Sequence, residues 1–121
     1  MKVIVADDSL VMRKIITNIV ESLGHEGIPA PNGEQLLAIL NQLGEEVGLV
    51  LLDWNMPGVN GLEALKAIQS NPRFQSIPVV MISTESEDSK VEEALQAGAC
   101  GYLAKPFTPE KLSAKLKDIL K

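Results

Sequence analysis

The sequence predicts one doubly wound α/β domain, in which a five-stranded parallel sheet carries five helices on its two faces. Short apolar runs alternate five times with longer segments that have helical hydrophobic periodicity. Such alternation calls for right-handed crossovers between parallel strands, with helices on both faces. The chain has 121 residues, of which 45% are hydrophobic, so residues 1–121 are expected to form a single domain with one core.

The strands are predicted from short apolar runs that end at polar or turn-forming residues. The clearest run is followed by Asp53, with Pro57 and Gly58 ending it in a loop. The run near His25 is the weakest. The five predicted strands are Met1 to Ala6, His25 to Ala30, Leu49 to Leu52, Val79 to Ile82 and Tyr102 to Ala104.

The first two helices are predicted from apolar residues at the spacing of one helical face. The first runs from Leu10 to Leu23, and the second follows Asn32 or Gly33, either of which can act as its N-cap. The predicted inward positions are Val11, Ile15, Ile16, Ile19, Val20 and Leu23 in the first helix and Leu36, Leu37, Ile39, Leu40 and Leu43 in the second.

Three more helices are predicted in the second half of the chain. Asn71 and Pro72 end the third, and Gly98 is the expected C-cap of the fourth. Thr108 can cap the fifth, with Pro109 at its first position. The predicted inward positions are Leu62, Leu65 and Ile68, then Val91, Ala94 and Leu95, then Leu112, Leu116, Ile119 and Leu120.

Composition excludes several classes of function. A net charge of −5 argues against nucleic acid, whose backbone needs a basic surface, and the few aromatic residues argue against base stacking. The lone Cys100 excludes an internal disulfide and suits a reducing compartment. Neither a signal peptide nor a membrane-length apolar stretch is evident, so a cytoplasmic protein without membrane association is expected.

Chemically capable side chains follow four of the predicted strands. Asp7 and Asp8 follow the first strand, and Asp53, Ser83 and Lys105 follow the third, fourth and fifth. Carboxyl ends of parallel strands lie at one edge of the sheet, where ligands of open α/β folds bind. Clustered carboxylates repel one another unless a cation is present, and Mg²⁺ is commonly held by one or two carboxylates plus a phosphate.

The same residues suit phosphoryl transfer. Asp53 is central among the strands, and a carboxylate can act as a nucleophile that forms an aspartyl phosphate. Asp7 and Asp8 are then metal ligands, while Ser83 and Lys105 stabilise the oxygens of the transferred group.

These residues lie in four motifs, VIVADDS, LVLLDWNMPGVNGLEAL, VVMISTE and GYLAKPF. In this order and spacing they resemble the receiver domain of response regulators, and the resemblance runs from Lys2 to the last helix. It implies the flavodoxin-like receiver fold with strand order 2-1-3-4-5.

The resemblance also implies roles for the site residues. Asp53 corresponds to the phosphoacceptor and Lys105 to the phosphate partner. Asp8 and the backbone carbonyl of Asn55, together with Asp53, are expected to coordinate Mg²⁺ directly, and Asp7 through water.

Switching and access involve a second set of residues. Ser83 corresponds to the switch hydroxyl and Tyr102 to the aromatic side chain that turns inward. Asn55, Thr84 and Glu85 are expected at the mouth of the pocket. The resemblance further implies a cis peptide between Lys105 and Pro106, which would direct the ammonium into the site.

The implied partners are proteins. A sensor histidine kinase or a small acyl phosphate would donate the phosphoryl group, and the chain would catalyse only its own phosphorylation and dephosphorylation. The motifs most resemble the chemotaxis type, whose partner is the flagellar motor switch; the alternative is a relay to a histidine phosphotransfer protein. Lys90, Tyr102 and Lys111 are expected on the partner face of a monomer.

Other readings of these residues remain open. Asp7 and Asp8 could merely cap the first helix, Ser83 and Thr84 the fourth, and Tyr102 could be an ordinary half-buried strand residue. A flavodoxin-like electron carrier would need hydroxyls and amides in the first loop to bind a phosphate, where this chain has Asp7 and Asp8. A haloacid-type aspartyl phosphatase would need an acid where this chain has Asn55.

Three features depart from the commonest family pattern. Pro31 and Asn32 replace acidic residues, Ser83 replaces Thr, and Thr84 replaces a small residue. None removes a catalytic group, but the branched Thr84 side chain is expected to narrow access to the pocket.

Overall fold

The computed structural model describes residues 1–84 and 88–119. Its strands are β1 (Lys2–Ala6), β2 (Glu26–Ala30), β3 (Val47–Asp53), β4 (Val79–Ser83) and β5 (Gly101–Ala104). Its α-helices are α1 (Leu10–Ser22), α2 (Gly33–Leu43), α3 (Gly61–Gln69), α4 (Asp88–Gln96) and α5 (Pro109–Ile119). Neighbouring strands are parallel, in the order β2-β1-β3-β4-β5, which confirms the predicted doubly wound fold.

Helices cover both faces of the sheet. The core residues of α1 and α5 pack on one face and those of α2, α3 and α4 on the other. Strand β3 shows why its sequence is an uninterrupted apolar run. Leu49 and Leu51 pack on the face that α1 and α5 cover, and Val50 and Leu52 pack on the opposite face, since successive side chains of a strand point to opposite faces.

The strand order explains why β2 was only weakly predicted from the sequence and why the strand-end carboxylates lie close together. Strand β2 is an edge strand, and its Pro29, paired in register with Val5, is tolerated there because one side of an edge strand needs no ladder hydrogen bonds. Strands β1 and β3 are neighbours, with Ala6 in register with Leu52. The residues that follow these positions, Asp7 and Asp53, are therefore brought to the same edge of the sheet.

Side chains cap the N-termini of α2 and α5. Asn32, rather than Gly33, caps α2, because its Oδ1 accepts a hydrogen bond from the Gln35 amide at 2.8 Å. Thr108 caps α5 as predicted, with Oγ1 accepting from the Lys111 amide at 3.2 Å. Asn32 thus has a local structural role at a position that departs from the family pattern.

Two N-caps were not predicted from the sequence. Ser9 caps α1, with its Oγ accepting from the Met12 amide at 3.2 Å. Asn60 and Glu63 form a capping box at the start of α3, in which each side chain accepts from the backbone amide of the other residue. Because Ser9 is the cap, Asp7 and Asp8 are not needed for that role.

Three residues predicted to face inward are exposed. Val11 is 68% exposed, Ile15 42% and Leu95 47%. Almost every turn of α1 offers apolar residues on two adjoining faces, and only the stripe that includes Ile16, Ile19 and Val20 meets the sheet. In α4, Ala94 fills the inward position, and its neighbour Leu95 is rotated away from the core.

The remaining differences concern element boundaries. A short 3-10 helix, Gly44–Glu46, leads into β3, which starts at Val47, two residues before the predicted strand. Gly98 has a φ of 111°, where glycine is favoured, and its amide donates to Leu95 O at 3.1 Å just after α4, as expected of a C-cap. Leu120, predicted to point inward, lies outside the described residues.

Among the described residues, 1–84 and 88–119, no helix combines the length and the apolar character needed to span a bilayer.

Candidate functional site

Three carboxylates meet at the carboxyl edge of β1 and β3. One oxygen from each of Asp7, Asp8 and Asp53 lies within 4.8 Å of the others. Asp7 and Asp53 are only 1% and 5% exposed, whereas Asp8 is exposed. Two buried carboxylates and one open to solvent thus form the group that was expected from the strand ends.

Lys105 brings a cation to this group from the end of β5. Its Nζ lies 2.7 Å from Asp7 Oδ2 and 3.5 Å from Asp53 Oδ1, and its side chain is 13% exposed. The peptide between Lys105 and Pro106 is cis, as expected. The amide of Lys105 donates to Ser83 O at 2.8 Å, which ties the loop after β5 to the end of β4.

Asp7 is held from four directions. Its amide donates to Ala30 O at 3.1 Å, and its carbonyl accepts from Arg13 Nη1 at 2.7 Å. Its Oδ1 accepts from the Ser9 amide at 2.9 Å, and its Oδ2 accepts from Lys105. Both carboxylate oxygens therefore already have protein donors, whereas the Asp8 carboxylate is open to solvent.

The electrostatic environment of Asp53 disfavours its ionised form. Burial, and next the charge of Asp7, raise the pKa of the Asp53 carboxyl to about 6. Lys105 and a hydrogen bond from the Asn55 backbone amide act in the opposite direction. Burial and like charge thus outweigh the single ammonium, so in the absence of a further cation the ionised site carries an electrostatic cost.

Gly61 allows the backbone after Asp53 to pack against the start of α3. Its amide donates to Trp54 O at 2.8 Å. A Cβ placed on Gly61 would overlap the Asp53 carbonyl oxygen and lie 2.7 Å from Trp54 Cα, so only glycine fits without movement of the backbone. The turn after Asp53 therefore requires glycine at position 61, and the sequence motif alone does not explain this requirement.

The residues expected at the pocket mouth are only partly described. Asn55 and Thr84 are exposed beside the ends of β3 and β4, whereas Ser83 is fully buried. Glu85 lies outside the described residues.

The three residues expected on the partner face lie on different elements. Lys111 is exposed on α5, and Tyr102 is half-buried on β5, where it packs against the cluster under α2, α3 and α4. The Nζ of Lys90, on α4, lies 5.3 Å from the centroid of the buried Trp54 ring, a cation–π contact. Lys90 therefore links α4 to the residue directly after Asp53.

The donor set fits a hard divalent cation. Such ions take oxygen ligands, and Mg²⁺ in particular keeps several waters and uses few carboxylates. Asp8 and Asp53 offer carboxylate oxygens close together, and burial, and next the charge of Asp7, raise the pKa of Asp53. A bound cation would offset the repulsion between the Asp53 and Asp7 carboxylates.

Four features of the site were missed from the sequence. Three of them join groups that no local pattern connects: the Arg13 contact to the Asp7 carbonyl, the tight packing of Gly61, and the Lys90 contact with Trp54. The fourth, the cap at Ser9, had a local signal, because serine before an apolar helix is a typical N-cap.

Comparison with known proteins matches residues 3–117 to the response regulator receiver domain model. A Chemotaxis protein CheY homolog of Campylobacter jejuni is 40% identical over 99% of this chain and 92% of its own length. Chemotaxis protein CheY1 of Helicobacter pylori is 41% identical over 99% of this chain and 97% of its own length.

A solved structure, chemotaxis response regulator CheY4 of Vibrio cholerae, superposes with a TM-score of 0.91 at 31% identity and covers 98% of this chain and 97% of its own. The family model, the relatives and the fold all agree over nearly the whole chain. The chain therefore belongs to the response regulator receiver family and is similar over nearly its whole length to CheY chemotaxis proteins.

Proposed function

We propose that this chain is a phosphoacceptor response regulator that receives a phosphoryl group on Asp53 from a sensor histidine kinase or a small acyl phosphate. One observation carries the proposal. A buried carboxylate stands at the carboxyl edge of the central strand, 3.5 Å from a lysine ammonium and beside two further carboxylates. This arrangement offers a nucleophile, a cation for the phosphoryl oxygens and ligands for Mg²⁺.

In the proposed reaction, an Asp53 carboxylate oxygen attacks the phosphorus of the donor. The bond between phosphorus and the donor's imidazole nitrogen or acyl oxygen breaks, and the leaving group keeps the electron pair. Bound Mg²⁺ would supply charge neutralisation for the phosphoryl oxygens, with Asp8, Asp53 and the Asn55 carbonyl as its direct ligands and Asp7 acting through water.

Lys105 and Ser83 stabilise the phosphorylated state in this proposal. The Lys105 ammonium contacts Asp7 and Asp53 and is close enough to pair with a phosphoryl oxygen on Asp53. Ser83 ends β4 beside β3, and its hydroxyl would donate to the same group. Ser83 would move toward the phosphoryl group to make this contact. Tyr102, on the neighbouring strand β5, would then turn inward as the switching aromatic side chain.

The output we propose is protein binding. The similarity to chemotaxis proteins favours the flagellar motor switch as partner, with a histidine phosphotransfer protein as the alternative. The partner would engage the face that carries Lys90, Tyr102 and Lys111. We further propose that residues 1–121 act as one monomeric cytoplasmic receiver domain that catalyses only its own phosphorylation and dephosphorylation.

Trp54 offers a direct test of phosphorylation at Asp53. It is the only tryptophan, it follows Asp53, and its ring contacts the Lys90 ammonium. We expect its emission to change when Mg²⁺ is added and again when acetyl phosphate is added. Asp53→Asn should lose the second change. If that variant responds to acetyl phosphate as the native protein does, the phosphoryl group goes elsewhere and the proposal is wrong.

The lifetime of the phosphorylated state should depend on access of water to Asp53. Thr84→Ala opens the pocket mouth and should speed both phosphorylation by acetyl phosphate and spontaneous dephosphorylation. Asn55→Lys should slow dephosphorylation, because a long cation would displace an attacking water and pair with the phosphoryl group. Phosphate release in Mg²⁺ measures both rates. Native rates in both variants would show that the pocket mouth does not control the lifetime.

A binding experiment distinguishes the two outputs. The acetyl phosphate-treated protein, passed over an immobilised motor switch protein and an immobilised histidine phosphotransfer protein, should be retained by the first. Lys111→Ala should weaken retention, whereas Asp53→Asn should abolish the dependence on acetyl phosphate. Phosphoryl transfer to the phosphotransfer protein without retention by the motor switch protein would favour the relay.

A further inference from the structure

We propose that Arg13 is a positioning residue for the metal site, acting through the backbone carbonyl of Asp7. The guanidinium of Arg13, on the second turn of α1, reaches back to the loop after β1. Its Nη1 donates to Asp7 O at 2.7 Å, and the side chain is half-buried. This inference rests on the proposed function, because it concerns the Mg²⁺ site assigned there to Asp8 and Asp53.

The contact completes the set of restraints on the segment from Asp7 to Ser9. The Asp7 amide is fixed to β2 through Ala30 O, and Asp7 Oδ1 holds the Ser9 amide at 2.9 Å. Ser9 O then accepts from the Arg13 amide at 2.9 Å, which starts the helix. The guanidinium is therefore the one side chain of α1 that we find bonded to the backbone of this segment within the described residues.

The Asp7 carbonyl belongs to the peptide that joins Asp7 to Asp8. The orientation of this peptide plane determines the direction in which Asp8 leaves the backbone. Asp8 is exposed, so packing does little to direct its carboxylate, although one of its oxygens lies within 4.8 Å of those of Asp7 and Asp53. By holding the peptide plane, Arg13 keeps the Asp8 carboxylate where a cation can share it with Asp53.

Electrostatics and positioning make opposite predictions for removal of Arg13. A guanidinium close to the carboxylates repels a divalent cation, so loss of its charge alone should tighten Mg²⁺ binding. Loss of the positioning contact should weaken it. Lys14, the next residue on α1, is an exposed cation and provides a charge-matched control.

The experiment is a Mg²⁺ titration of the full chain followed by Trp54 emission, together with thermal midpoints in chelator and in saturating Mg²⁺. Arg13→Met should weaken the affinity for Mg²⁺ about tenfold or more, the effect of losing a hydrogen bond from a charged donor. Lys14→Met should bind Mg²⁺ as tightly as the native protein or more tightly. Asp8→Asn should lose the response and raise the midpoint in chelator, because a repelling charge is removed.

A merely structural role would lower both thermal midpoints equally and leave the affinity for Mg²⁺ unchanged, which would overturn the inference. Arg13→Met binding as tightly as Lys14→Met would overturn it as well. Arg13→Lys keeps the charge and the apolar stem but not the planar fork, so its affinity for Mg²⁺ should lie between those of the native protein and Arg13→Met. This variant replaces Arg13→Met in the titration if Arg13→Met is too unstable to measure. Absence of any Mg²⁺ response in the native protein would instead reject the proposed metal site, and this inference with it.

Discussion

Asp53→Asn should stabilise the metal-free protein by about 2 kcal/mol more at pH 7.5 than at pH 4.5. The reason is the environment of Asp53, in which burial, and next the charge of Asp7, raise the pKa of the carboxyl to about 6 in the folded protein. In the unfolded chain, the pKa of this carboxyl returns to its ordinary value of 3.8. Between these two pKa values the folded state holds more protons than the unfolded state.

Stability therefore falls as the pH rises from about 4 to about 6, and the loss is complete above the folded-state pKa of Asp53. Asparagine has no such titration, so the advantage of the variant grows over the same window. The measurement is the free energy of unfolding by urea, followed by circular dichroism in chelator at several pH values. Glu93→Gln, an isosteric change on the exposed side of α4, is the matched control and should follow the native protein.

Magnesium should cancel most of the advantage of Asp53→Asn at neutral pH. An ion held by Asp8 and Asp53 stabilises the native protein by mass action, by about 2.7 kcal/mol at a hundredfold excess over its dissociation constant. Asp53→Asn lacks one of the proposed ligands and should gain much less. An advantage of the variant that is the same at pH 4.5 and pH 7.5 in chelator would contradict the raised pKa of Asp53.

The architecture could be predicted because its signals are local. The run from Leu49 to Leu52 is apolar at every position, as expected of a central strand buried on both faces, and the structure places it there. The strand-end carboxylates could likewise be predicted to meet, because parallel strands share one carboxyl edge. The shared carboxyl edge was enough to predict that Asp7 and Asp53 lie close together.

The orientation of the helices was less predictable. Val11 and Ile15 continue the apolar pattern of α1 but face solvent, because the sheet can bury only one stripe of the helix. Periodicity gives the spacing of apolar residues and leaves the choice between adjoining faces to tertiary packing. The same ambiguity explains Leu95, which lies next to the buried Ala94.

Contacts between distant segments were beyond the reach of the sequence. The cation–π contact of Lys90 with Trp54 joins α4 to the end of β3, and the Arg13 hydrogen bond joins a side chain to a backbone atom. Neither leaves a periodic or compositional signal. Gly61 is similar, since its requirement comes from the approach of the Asp53 carbonyl and not from a turn that the sequence would mark.

Lys105→Met should destabilise the metal-free protein by about 3 kcal/mol at pH 8, the usual result of removing one partner from a buried ion pair. The Lys105 ammonium contacts Asp7 at 2.7 Å and Asp53 at 3.5 Å, and all three side chains are largely buried. Methionine keeps most of the volume of the side chain but leaves two buried carboxylates without this cation. The exposed Lys66, replaced by Met, is the matched control and should change stability by less than about 0.5 kcal/mol.

The pH dependence of this loss separates charge from packing. The Lys105 charge lowers the pKa of Asp53, so its removal should raise that pKa above about 6 and let Asp53 take up a proton at neutral pH. The loss of stability should therefore be smaller at pH 5, where Asp53 is largely protonated in both proteins, and smaller again when Asp53→Asn is combined with Lys105→Met. Urea unfolding at pH 5 and pH 8 gives both comparisons. An equal loss at the two pH values, unaffected by Asp53→Asn, would mean that Lys105 stabilises the fold through its pairing with Asp7 and its packed stem, independently of the charge on Asp53.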